Sequence, residues 1–387
     1  MIDSFVFAKL PKILFGPGKL AELEKVTAPF GSHILFITGG NSFKKSMQFA
    51  EYIEPVLIQH RGYLESISGE PSPAMIDAIT EAYADKDINV VVAIGGGSVM
   101  DAGKAISAML AVSGNITDYL EGVGHLKPNG KKIPFVAVPT TSGTGSETTK
   151  NAVISQIGKD GFKKSLRHDN YVPDVAIIDP ELILSCPPYV TAASGMDAFT
   201  QLLEAYLSPT CDEMTSSLVI SGLKAIKRSL IAAFTNGENL KARADMAYAA
   251  MISGIALANA GLGTIHGFAS PIGAYFDIPH GVVCGTLMAA NNKYTVQKLR
   301  ESGGSEAFLK YKTVADIFID ADVPADKKID LFIEQLYAIT EQLRIPSLGE
   351  FGITTNDIEK IVAGSGNKNN PVKFDAETMA AILRERL

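Results

Sequence analysis

The chain has 387 residues, about twice the size of one ordinary domain, so two domains are expected. It is 46% hydrophobic and 20% charged, the balance of a folded globular protein. A net charge of −7 gives no attraction to nucleic acid or an anionic membrane surface, and no apolar run approaches the roughly 20 residues of a bilayer span.

The N-terminal stretch MIDSFVFAKL lacks a basic region followed by a long apolar segment, so no signal peptide is expected and the reading is a cytoplasmic protein. Cys186, Cys211 and Cys284 are too few and too scattered for a disulfide framework or a thiolate zinc site, and are read as three reduced thiols.

The first half alternates apolar runs with amphipathic stretches. HILFI (33–37), NVVVAI (89–94), IPFVAV (133–138) and DVAIID (174–179) predict strands buried on both faces, because each is nearly continuous in Val, Ile, Leu and Phe. Helical stretches lie between them at 73–86 and 98–112. This alternation predicts a parallel sheet in an α/β domain. NAVISQI and FKKSL flank IGKDGF, where Asp160-Gly161 marks a turn, so a hairpin interrupts the pattern. After Pro187-Pro188 the texture becomes helical, with periodicities at 191–207, 212–234, 238–259, 280–299, 305–321 and 325–343. The expectation is an α/β dinucleotide-binding (Rossmann-like) domain over 1–185 and an all-α domain over 186–387. The cleft between two such domains favours a ligand.

Three strand ends carry candidate binding loops. In AIGGGSVMDAGKA, Gly95, Gly96, Gly97 and Ser98 join a strand to a helix. Glycines let backbone N–H groups approach a phosphate, and the helix start adds a positive field. In VPTTSGTGSETTK (138–150), hydroxyl side chains crowd a loop after another strand, where they can grip phosphate, ribose or an amide. In LFITGGNSFKKS, a strand ends in Gly39-Gly40 with no acid to hold a ribose 2′-hydroxyl, and Lys44 and Lys45 follow. That points to NADP(H) over NAD(H).

The helical half carries candidate metal donors. GMDAFTQLLEAYLS (195–208) reads as a helix beginning after a glycine, with Asp197 and Gln201 on one face. Asp197 is then a metal donor or only a charge stabilising a helix N-terminus. His266 and His280, bracketed by Gly and Pro in GLGTIHGFASPIGAYFDIPHGVVCG (261–285), sit at expected element ends, and neutral imidazole is a common zinc or iron ligand. His33, His60, His125 and His168 show no partner spacing.

Taken in order, FGPGKL (15–20), GGGSVMDAGKA, PTTSGTGSE, DPEL, GMDAFTQLLEAYLS and HGFASPIGAYFDIPHG resemble the iron-containing, or group III, alcohol dehydrogenases. That family is related to glycerol dehydrogenases and dehydroquinate synthases. The resemblance runs over essentially the whole chain. It implies an NAD(P)-dependent enzyme that interconverts a small alcohol with its aldehyde or ketone, assisted by a divalent metal, zinc or iron, and assembled as a homodimer or larger homo-oligomer. It places the metal on Asp197, position 201, His266 and His280. Position 201 is Gln where the family pattern has His, and Ser270 stands where a further His is common. An amide is a weak neutral donor, so three-ligand binding, a loosely held ion and a metal-free site all follow as options. The resemblance also implies a cofactor site on Gly95 to Ser98, Asp101, Thr140, Thr141, Thr144, Asn151 and Lys163. The alternatives are a metal-independent reductase like the maleylacetate reductases and a silent nucleotide-binding homologue.

Overall fold

The computed structural model describes residues 4–40, 43–159, 161–303 and 306–387. In the first half, β1 (Lys12–Phe15), β2 (His33–Gly39), β3 (Arg61–Ile67), β4 (Val90–Gly95), β5 (Phe135–Pro139) and β8 (Val175–Ile178) form one parallel sheet in the order β1-β8-β5-β4-β2-β3. The hairpin strands β6 (Asn151–Gln156) and β7 (Phe162–Arg167) pair antiparallel as a separate ribbon, as the sequence predicts. Asp160, the first residue of the expected turn pair, lies outside the described residues.

The helices of this half are α1 (Leu23–Thr27), α2 (Glu54–Gln59), α3 (Pro73–Tyr83) and α4 (Gly97–Met109). They cover both faces of the sheet. Leu35, Ile37, Val91, Ala93 and Phe135 pack into one core with α3 and α4 residues. Their strand neighbours Ile34, Phe36, Val90, Val92 and Val136 pack into another with Leu23, Ile53 and Val56. Double-sided burial is why β2, β4 and β5 read as unbroken apolar runs.

The second half is α5 (Pro188–Leu207), α6 (Glu213–Thr235), α7 (Leu240–Ala260), α8 (Thr264–Tyr275), α9 (His280–Glu301), α10 (Glu306–Phe318), α11 (Ala325–Gln342), α12 (Ile358–Gly364) and α13 (Ala376–Arg384). α5 is sheathed by α6, α7 and α9 and is buried on nearly every side. It begins at Pro188, not after Gly195. The reading of Asp197 as a helix N-terminal charge is therefore corrected: nine residues of chain precede it from the helix start, so no free N–H groups lie beside it. No single described helix is long and apolar enough to cross a membrane; α7 and α8 pass such a test only together, and they meet at 101°.

Candidate active site

The sheet order places β4 beside β2, while β3 lies on the opposite side of β2. The chain thus reverses its winding between β2 and β4, and ligands of open α/β sheets bind outside the carboxyl ends of the strands at such a switch. Gly39 and Gly40 end β2 there, and Gly95 to Gly97 end β4 and open α4. Thr140, Thr141 and Thr144 follow β5 alongside, and Thr140 N–H donates to Gly95 O at 2.8 Å. The two loops are closely packed: a Cβ on Gly97 would meet Thr144 Cγ2 at 2.6 Å. Gly96, Gly97, Ser98, Thr140, Thr141 and Thr144 remain partly exposed, and Ser142 Oγ is buried with no partner. This is a cradle whose backbone an elongated phosphate can approach.

Other expected cofactor residues already have protein partners. Asp101 accepts from Ser146 Oγ at 2.5 Å and from Val153 N–H at 3.1 Å, which ties α4 to the hydroxyl loop and to β6. Lys104, buried beside it, donates to Ser146 O and Asn151 O, both at 2.8 Å. Asn151 thus meets this network through its backbone. Lys163 on β7 is paired with Glu70 at 3.1 Å, and its side chain lies against Gly273 of α8.

The candidate metal donors come from three helices. Asp197 projects from the middle of α5, His266 from the first turn of α8, and His280 opens α9 behind Pro279. His266 Nε2 and His280 Nε2 lie 3.4 and 3.7 Å from Asp197 Oδ1. The two rings are 5.3 Å apart, centroid to centroid. Asp197 is 1% exposed, yet its Oδ1 has no hydrogen-bond partner; neither has His280 Nδ1. Buried polar atoms are nearly always paired, so a carboxylate oxygen left bare between two imidazoles fits a cation.

Electrostatics differ between the donors: burial lowers His266, but Cys284, Glu204 and Asp197 outweigh it and hold that ring well above its ordinary range, so it sheds a proton when an ion binds. Burial raises the Asp197 carboxyl, but the His280 and His266 imidazoles outweigh it and hold the group below its ordinary range. Enclosure, opposed by Asp197, pushes His280 down to about 4, which leaves a neutral imidazole at pH 7, the form that binds metals.

Two residues that the sequence reading passed over join this group. Glu204 lies seven residues after Asp197 on α5, two helical turns along the same stripe. Its Oε2 is 2.6 Å from His266 Nδ1 and its Oε1 accepts from Ile265 N–H at 2.7 Å. A carboxylate behind a ligating histidine fixes the ring and its tautomer. Cys284, one turn after His280 on α9, brings its Sγ to 3.6 Å from His266 Nε2 and 3.7 Å from His280 Nε2. Asp197, His266, His280 and Cys284 each offer a donor atom within 4.8 Å of the others. The signals were there as i, i+7 and i, i+4 spacings from expected ligands. Gln201, expected in the donor set, is buried, and its Oε1 lies 3.0 Å from the Ser253 hydroxyl of α7. Ser270 is exposed on α8.

A glycine-rich strand-to-helix turn at the sheet's switch point thus lies beside helices that gather a carboxylate, imidazoles and a thiol. Residues 11–180 match the model of the iron-containing alcohol dehydrogenases, and residues 191–387 match that of the C-terminal part of the Fe-containing alcohol dehydrogenase family. Alcohol dehydrogenase 4 of Saccharomyces cerevisiae (strain YJM789) is 32% identical over 338 residues, 85% of either chain. An NAD-dependent methanol dehydrogenase of Bacillus methanolicus is 31% identical over 324 residues, 82% of either chain. The solved structure of an alcohol dehydrogenase from Oenococcus oeni superposes with a TM-score of 0.86 at 28% identity, covering 99% of this chain and 100% of that one. The chain belongs to the iron-containing alcohol dehydrogenase family. It is an alcohol oxidoreductase, and its sheet is the dinucleotide-binding fold of that family.

Proposed function

We propose that residues 1–185 form the nucleotide domain and 186–387 the metal and substrate domain, and that a small alcohol and its carbonyl product are interconverted in the cleft between them. Asp197, His266 and His280 hold a divalent ion. The observation that carries this reading is the bare, buried Asp197 Oδ1 facing two imidazole nitrogens. When bound, the ion supplies Lewis-acid polarisation of the substrate oxygen, and the nicotinamide carries the hydride.

The chain's own groups do the positioning. Glu204 takes the Nδ1 proton of His266 as a hydrogen bond, so Nε2 faces Asp197. Gly95 to Ser98 receive the pyrophosphate at the start of α4. Thr140, Thr141 and Thr144 line the ribose and nicotinamide side, with Asn151 and Lys163 beyond them. Asp101 supports this loop through Ser146. The converging donors and the family favour this reading over a metal-free reductase or a silent nucleotide binder.

NADP(H) is the preferred nucleotide on this reading: Gly39 and Gly40 put no acid at the end of β2, and Lys44 and Lys45 follow in a short 3-10 turn. Asn41 and Ser42, between them, lie outside the described residues. The enzyme is further proposed to be a cytoplasmic homodimer or larger homo-oligomer.

The test is metal analysis of the purified protein together with NADPH oxidation over a panel of short aldehydes. Wild type is expected to carry stoichiometric metal and to turn over, with both lost in His280→Ala. A metal-replete, active His280→Ala would refute the donor assignment. Gly39→Asp, whose Cβ must ease past Val99 Cγ2 at 3.1 Å, is expected to move the kcat/KM ratio toward NADH. An unchanged ratio would displace the 2′-phosphate pocket from β2.

A further inference from the structure

We propose that the Cys284 thiolate is the fourth protein donor of this centre, in place of the imidazole that Gln201 replaces, and that the resulting set takes zinc ahead of iron. The inference rests on the reading of Asp197, His266 and His280 as metal donors.

Cys284 is fully buried, and it lies on α9 one turn from His280, on the face that α9 turns toward α5 and α8. Its Sγ stands almost equidistant from two imidazole nitrogens, 3.6 Å from His266 Nε2 and 3.7 Å from His280 Nε2. A thiol can donate to one of these nitrogens and accept from the other only where that ring carries its proton on Nε2; a thiolate bound to an ion beside both rings needs no such proton.

Four of the six donor–donor edges have the lengths of a tetrahedral zinc site, and the remaining two lie within 4.8 Å. Zinc bonds of roughly 2.0–2.2 Å to nitrogen and oxygen and about 2.3 Å to sulfur put neighbouring donors about 3.4 Å apart for nitrogen and oxygen, and about 3.6 Å apart for sulfur and nitrogen. The structure has 3.4 and 3.7 Å for the nitrogen–oxygen edges and 3.6 and 3.7 Å for the sulfur–nitrogen edges. The unpartnered Asp197 Oδ1 is the fourth corner, an independent mark of a cation site. Gln201 Oε1 meanwhile lies 3.0 Å from the Ser253 hydroxyl of α7, which also approaches Ala250 O at 2.8 Å and Gly143 O at 3.3 Å.

The chemistry sets the metal preference. A thiolate is a softer donor than an imidazole or an amide and favours zinc over iron(II). The thiol proton leaves to solvent as the ion binds, as for any cysteine ligand. A substrate oxygen would then enter by expansion of the ion to five-coordinate.

Cobalt(II) is the probe. The metal-free protein is loaded with one equivalent of cobalt and its absorption recorded. A thiolate-to-cobalt charge-transfer band in the near ultraviolet is expected for wild type, retained in Gln201→Ala and absent from Cys284→Ala, whose visible cobalt bands persist. Zinc affinity, measured against a chromophoric chelator, is expected to fall in Cys284→Ala by at least the roughly 10- to 100-fold that loss of an outer-shell partner costs. Stoichiometric cobalt in wild type with visible bands but no charge-transfer band would overturn the thiolate donor and leave the three-donor reading standing. Failure of wild type to bind cobalt or zinc at all would overturn both. Should Cys284→Ala fail to fold, the wild-type spectrum decides alone.

Discussion

Glu147 is 3% exposed inside the hydroxyl loop that follows β5. Burial, opposed by its own backbone and by Lys104, pushes its carboxyl up to about 7. Lys104, held by four oxygens of the same loop and the start of β6, is pushed down to about 8 by burial, with Asp101 and Glu147 resisting. The folded chain therefore keeps the Glu147 proton through a range in which the unfolded chain has lost it. A raised carboxyl stabilises fully below its ordinary value of 4.5, and that contribution is lost as pH rises through about 7. At about 1.4 kcal/mol per pKa unit the loss is roughly 3 kcal/mol. Urea unfolding of wild type and Glu147→Gln is expected to show wild type losing stability relative to the variant between pH 4.5 and 7.5. A difference between the two that does not vary with pH would mean that this carboxyl ionises normally.

At the same scale, the residues of the site were unevenly legible. His266 and His280 stood out as two histidines in a glycine-rich segment, while Asp197, an acid on a helix face, joined them only through the family resemblance. Cys284 did not, because the three cysteines were weighed by their spacing from one another, while its partners are histidines. Glu204 looked like one more helix acid; only the packing of α8 onto α5 reveals it behind His266.

Among the elements, close backbone approach sets the site. Gly281, the second residue of α9, lies so near α5 that an added Cβ would collide with Ala193 O, four residues before Asp197. Gly281→Ala is therefore expected to push the start of α9, and His280 with it, away from Asp197. Zinc affinity should fall with secondary structure retained, as circular dichroism and chelator competition would check. Unchanged affinity would mean that α9 is not positioned by this contact.

The elements also show what patterning could reveal. β2, β4, β5 and β8 were readable because both their faces are covered. β1 and β3 were not: they are the edge strands of the sheet, and their partly exposed residues break the apolar run. α8 was hidden for the opposite reason. It is buried almost all round, carries Pro271 in its interior and contains two glycines, so neither helical periodicity nor propensity marks it.

For the whole molecule, the switch point between β2 and β4 and the junction of α5, α8 and α9 place the glycine-rich loop and the donor cluster on neighbouring parts of one chain. The hydroxyl loop connects them, since Gly143 packs on Ser194 of α5 and its carbonyl lies 3.3 Å from Ser253 Oγ. An ion shared by three helices stabilises the folded state by mass action, on the order of 4 kcal/mol at a thousandfold excess over Kd. Chelation is therefore expected to lower the melting temperature of wild type and to leave that of His280→Ala where it was. Equal shifts in both would point to a different metal site.

Anomalous diffraction from zinc-soaked crystals tests the central claim most directly. A single peak within bonding distance of Asp197 Oδ1, His266 Nε2 and His280 Nε2 is the result expected. No peak there, in crystals of a preparation that oxidises alcohols, would contradict it.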